Sequence, residues 1–168
     1  MFWQKKTVGQ ELIGQFNKEA KSIRKTDMIR AEEAAVDKLC ADFPVLLRNA
    51  DTNTTRQALV DGMVKVILEL GEISDTQHVN SINARVGEID KLSSTLLSAV
   101  GPGDSLKSFP QRLNLAALKL RDDAESCPPL VAEALLSVAK TFSDTAVKAG
   151  GTSAPTNTQR ATYKAPTQ

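Results

Sequence analysis

Apolar residues recur along this chain at steps of three and four, the period of a helix with one buried face. Val8, Leu12, Phe16, Ala20 and Ile23 form the first stripe, behind a Thr7–Gln10 pair with the spacing of a capping box. At about 100° per residue, Lys18, Lys21 and Lys25 fall opposite it. Residues 8–25 therefore predict an amphipathic helix with a basic outer face. A second stripe, Met28, Ala31, Ala35, Leu39 and Phe43, is rotated too far from the first for gentle drift. It predicts a break near Thr26-Asp27, with Asp27 capping a new helix that runs to Phe43, just before Pro44. One bent helix over 8–43 is the alternative.

Thr54 and Gln57 resemble another capping box, and Leu59, Met63, Ile67 and Leu70 follow, with Gly71 as a stop. Ser74 with Gln77 marks the start of the longest element, which runs to about Val100. Its positions Val79, Ile82, Val86, Ile89, Ser93, Leu96 and Val100 alternate steps of three and four, a heptad seam read as internal bundle packing, with a helix–helix contact between chains as the alternative. "GPG" at 101–103 ends it. A fifth helix spans about Pro110–Glu125, with Leu113, Ala117 and Leu120 on its apolar face. Ser126 is placed to cap a last helix that has prolines in its first turn, carries a stripe of Leu130 or Val131, Ala134, Leu135, Val138 and Phe142, and stops at Gly150-Gly151. From Gly150 onward the chain is rich in Thr, Pro, Gly and Ala, the composition of a disordered tail. The fold class expected is all-α: a bundle of five or six amphipathic helices over residues 1–149, with a flexible tail over 150–168.

Composition changes this picture little. The chain has 168 residues, 41% apolar and 24% charged, which suits one soluble domain. Cys40 and Cys127 lie far apart on apolar-rich stretches without metal-ligand spacing, so both read as buried free thiols. No apolar run approaches the roughly 20 residues needed to span a bilayer. The opening "MFWQKKTVGQ" lacks a secretory apolar core, which makes the Asn53 sequon accidental and points to the cytoplasm.

Charge is more informative. Residues 1–30 carry seven basic and three acidic side chains, whereas residues 31–101 carry six basic and eleven acidic. The overall charge of +1 hides this polarity.

Candidate chemistry is sparse. The single histidine, His78, has no nucleophile or acid patterned around it, and no P-loop, dinucleotide fingerprint, zincin or calcium-loop motif is present. The acid pairs Glu32-Glu33, Glu88-Asp90 and Asp122-Asp123 read as solvated helix faces. No catalytic residue, metal site or cofactor is expected, and the chain is not read as an enzyme.

The functional accent lies at the N-terminus. Phe2 and Trp3, in a chain only 4% aromatic, directly precede Lys5 and Lys6. With Lys18, Lys21 and Lys25 they form the expected partner-binding set. The first expectation is a protein–protein interaction or self-assembly module, with a protein partner or homo-oligomer. In it a basic face meets an acidic one and the aromatics supply affinity. The alternative is a peripheral adaptor on an anionic membrane surface, with Phe2, Trp3, Leu12 and Phe16 inward. Nucleic acid is disfavoured, because the basic patch covers a single helix. The same lysines also fit a plain solvated face.

Overall fold

Thr7 and Gln10 close the reciprocal box that their spacing predicts: Thr7 N donates to Gln10 Oε1 at 2.9 Å and Gln10 N to Thr7 Oγ1 at 3.1 Å. They open the first of six α-helices in the computed structural model, which describes residues 6–24, 29–74, 76–101 and 103–152. The helices are α1 (Val8–Arg24), α2 (Ile29–Asn49), α3 (Asn53–Glu69), α4 (Val79–Val100), α5 (Phe109–Glu125) and α6 (Pro129–Lys148). A 3₁₀ turn, Asp104–Leu106, precedes α5, and no strand occurs among the described residues. The chain is an all-α bundle.

The Phe16 and Phe43 rings meet edge to face, with centroids 6.2 Å apart. On one continuous helix they would stand about 40 Å apart. The chain therefore reverses between them, and α1 and α2 form an antiparallel hairpin rather than one bent helix. Thr26 and Asp27, where the break is expected, lie outside the described residues.

Helix α2 does not stop before Pro44 but runs through it to Asn49. A proline inside a helix costs roughly 3 kcal/mol, because its ring displaces the bond to the carbonyl four residues back. Burying Phe43, Leu46 and Leu47 at 0–3% exposure offsets this, at about 1.5–3 kcal/mol for each fully buried side chain. The buried line of α2 is Val36, Leu39, Phe43, Leu46 and Leu47, while Ala31 faces out and Ala35 is half-buried.

Three helix starts differ from expectation. Thr52, not Thr54, caps α3: its Oγ1 accepts from Thr55 N at 3.1 Å. Ser74 does not begin α4. The chain turns at Leu70-Gly71 and continues irregularly over 72–74, with Ile73 N bonded to Gly71 O at 3.1 Å and its side chain against the core, and the helix starts at Val79. Ser126 closes α5 rather than capping α6, donating from Oγ to Asp123 O at 3.2 Å; Pro128 takes the cap position. In each case a competing local bond or an apolar anchor displaces the start.

The seam of α4 turns inward, with Ile82, Ile89, Ser93 and Leu96 buried and Val79, Val86 and Val100 half-buried. Gly101, at φ 78°, ends the helix by donating to Leu97 O at 2.8 Å. Helix α6 packs against both α4 and α5. It ends in a Schellman motif: Gly150, at φ 96°, bonds to Val147 O, and Gly151 N bonds to Ala146 O. The next residue is held too, since Asn114 Nδ2 donates to Thr152 O at 2.6 Å. The rest of the expected tail, 153–168, lies outside the described residues.

Candidate interaction site

Two glycines bring α1 and α3 together. A Cβ on Gly9 would collide with Thr55 Oγ1, and one on Gly62 would stand 2.6 Å from Phe16 Cε1. Both contacts advance seven residues in the same direction, so α1 and α3 run parallel with about two turns between contacts. Beyond Phe16 the helices leave a groove of about 680 Å³. Phe16, Ala20, Gly62 and Val66 supply its apolar lining, and Asn17, Lys21, Lys65 and Glu69 its polar margin. Lys65 lies 3.8 Å from Glu69, and its side chain is largely exposed.

Of the residues singled out in the sequence, Lys6, Lys18 and Lys21 are exposed, and Lys21 borders the groove. Phe2, Trp3, Lys5 and Lys25 lie outside the described residues. Leu12, Phe16 and Ile23, the apolar side of α1, are buried in the bundle.

A polar cluster joins α1 to α2. Glu19, buried on α1, accepts from Gln15 Nε2 at 3.2 Å and lies 3.5 Å from Lys38 Nζ, which also binds Asp42 Oδ2 at 2.9 Å. Burial, followed by the neighbouring Asp42, pushes Glu19 above the ordinary carboxylate range. Asp42 moves the other way, mainly through its bond to Lys38.

A second cluster joins α2 to α4, and here the solvated-face reading fails. Glu88 is only 3% exposed, and Glu32 has 13% of its side chain exposed. Arg85 Nε lies 3.4 Å from Glu32 Oε1, while Arg85 Nη1 donates to Leu70 O at 2.9 Å. Burial first, then the adjacent Glu32, push Glu88 up to about 9.

Both cysteines are free thiols but only half-buried, a correction to full burial. Burial raises the Cys40 thiol above its usual range. His78 is exposed at the cap position of α4. Among the described residues no three His, Cys, Asp or Glu side chains are grouped to hold a metal ion, and no helix is long and apolar enough to cross a membrane.

The groove and the Glu32–Arg85–Glu88 cluster were not expected from the sequence. The signal available for the groove was the matched spacing of Gly9–Phe16 and Thr55–Gly62, each seven residues apart. No protein-family model, curated protein or solved structure matches the chain.

Proposed function

We propose that this chain is a non-enzymatic helical interaction module that assembles with copies of itself, the Phe2–Trp3 segment of one copy seating in the α1–α3 groove of another. The observation that carries this reading is the groove, an apolar hollow beside the basic face of α1. Its size suits bulky anchors, since Phe and Trp each bury roughly 150–250 Å².

Reach favours a neighbouring copy. Phe16 lies about 12 Å along α1 from Val8. Trp3 precedes Val8 by five residues, which span at most about 18 Å when fully extended. To enter its own groove the segment would have to double back, stretched, past the Thr7–Gln10 box. A neighbour's segment meets no such constraint. The basic N-terminal region and the acidic residues of the middle helices steer the encounter.

The lipid alternative is less well supported. The apolar side of α1 is already used inside the bundle, so laying it on a bilayer would forfeit the packing of Leu12, Phe16 and Ile23.

Sedimentation velocity over a range of concentrations tests the proposal. The wild type should associate at low salt and less so at high salt. Trp3→Ala should weaken association, as should Ala20→Trp, which fills the groove from within. A wild type that stays monomeric at high concentration and low salt overturns it. So does association that both variants leave unchanged.

A further inference from the structure

Helices α2 and α4 run parallel, tied by Arg85 to Glu32 and by Lys91 Nζ to Asp37 Oδ1 at 3.0 Å. Glu88 enters this seam one turn after Arg85. Neither of its oxygens meets an N–H or O–H donor among the described residues, and the polar side chain it faces is the carboxyl of Glu32, with which it can share a hydrogen bond only while one of the two carries a proton. The nearby cation is committed elsewhere, since Arg85 reaches Glu32 and the Leu70 carbonyl. The other charges acting on Glu88 are Glu32 and Glu33, both on α2. The remaining neighbours of α4 offer no relief: the buried faces of α3 and α6 contain only apolar and hydroxyl side chains.

A buried carboxylate without its own cation, set against a second carboxylate, is the arrangement proteins avoid by neutralising one group. We propose that the α2–α4 seam is a proton-operated latch: with a proton on Glu88 the helices close, and its loss to solvent base sets Glu88 against Glu32 and releases α2 from α4. Phe16 on Phe43 and Glu19 on Lys38 hold α1 to α2, and Phe16 on Gly62 holds α1 to α3, so the movement is a parting of α2 from α4, which is packed on α6. This device stands apart from the docking reading and does not depend on it.

The direction of the response follows from linkage. Glu88 carries its proton in the closed bundle up to about pH 9, against an ordinary value of 4.5. Closure is therefore fully favoured below the ordinary value, loses ground as pH rises, and has lost the contribution above about 9.

Cys40 reports the opening. It lies half-buried in a 360 Å³ hollow of the same seam, beside Ser94, Thr95 and Ser98 of α4. In a Cys127→Ser background, the alkylation rate of Cys40 by iodoacetamide is measured from pH 7 to 10. Each rate is divided by that of the urea-unfolded chain at the same pH, for the otherwise unaltered chain and for Glu88→Gln. The ratio should climb about tenfold more in the unaltered chain than in Glu88→Gln, because only the former gains a charge in the seam. Coincident profiles would overturn the latch. If Glu88→Gln fails to fold, ¹³C NMR of the Glu88 carboxyl in the wild type decides: titration near pH 9 supports the latch, and titration in the ordinary carboxylate range overturns it.

Discussion

Phe16 packs so closely on Gly62 that a methyl group at that glycine would stand 2.6 Å from ring atom Cε1. The ring is 2% exposed and lies between α2, where it meets Phe43, and α3, so admitting a Cβ means shifting it off Phe43 or towards the groove. Gly62→Ala should therefore destabilise the bundle by about 1–3 kcal/mol through overpacking, despite the better helix propensity of alanine. Gly87 on α4 provides the contrast: it is exposed and a Cβ there meets nothing within 4 Å. Gly87→Ala should stabilise by about 0.5–1 kcal/mol. Urea midpoints of the two variants should move in opposite directions. Equal shifts would mean that the Phe16–Gly62 contact does not set the spacing of α1 and α3.

Glu88→Gln removes the buried titration while keeping the size of the side chain. The wild type should lose stability steadily as pH rises from about 4.5 towards 9, since folding then requires proton uptake by Glu88. Between the ordinary value and pH 7 the accumulated penalty is about 3 kcal/mol. Urea unfolding at pH 5, 7 and 9 should show Glu88→Gln gaining on the wild type at each step. A constant difference across the three would assign the effect to packing and not to the proton.

What the sequence revealed depended on how local the signal was. The Thr7–Gln10 box and the stop at Gly150-Gly151 involve residues within one turn of each other, and both form as their spacing predicts. The face of α1 was also legible, because Leu12, Phe16 and Ile23 recur with the helical period and all are buried. Glu88 was not. A seam drawn through Ile82, Val86 and Ile89 implies a narrow buried stripe, but α4 packs on α2, α3 and α6 together, so its buried arc extends to include Glu88. The importance of Gly62 likewise depends on which residue of α1 lies opposite, a register no short window encodes.

The Glu19–Asp42 pair makes a separate prediction for the hairpin. Lys38 lies between the two carboxyls and reaches both. Lys38→Met should lower the thermal midpoint, because two acidic groups, one buried, are then left facing each other. The loss should be greater at neutral pH than at pH 4, where Glu19, already pushed upward by burial and by Asp42, retains its proton. Adding Glu19→Gln should restore most of the midpoint, since the amide needs no counter-charge. Scanning calorimetry of the single and double variants at both pH values measures this. A Lys38→Met loss that Glu19→Gln does not relieve would remove Glu19 from the account.

Pro44 supplies the last test, on the element where sequence and structure differ most. The proline has no N–H for the Cys40 carbonyl, yet α2 continues for five residues beyond it. If burial of Phe43, Leu46 and Leu47 holds that extension, the proline is a tolerated defect whose removal should strengthen the helix. Pro44→Ala restores the backbone bond and should raise stability by about 1–3 kcal/mol, less the apolar contact that the half-buried ring makes. Leu46→Ala should cost about 2–5 kcal/mol, because that side chain holds the extension in place. In the Pro44→Ala background the cost of Leu46→Ala should fall, since a continuous backbone ladder then carries part of the last turns. A double-mutant cycle by urea unfolding reads this coupling directly. A coupling of zero would mean that α2 crosses Pro44 for reasons unrelated to its C-terminal packing.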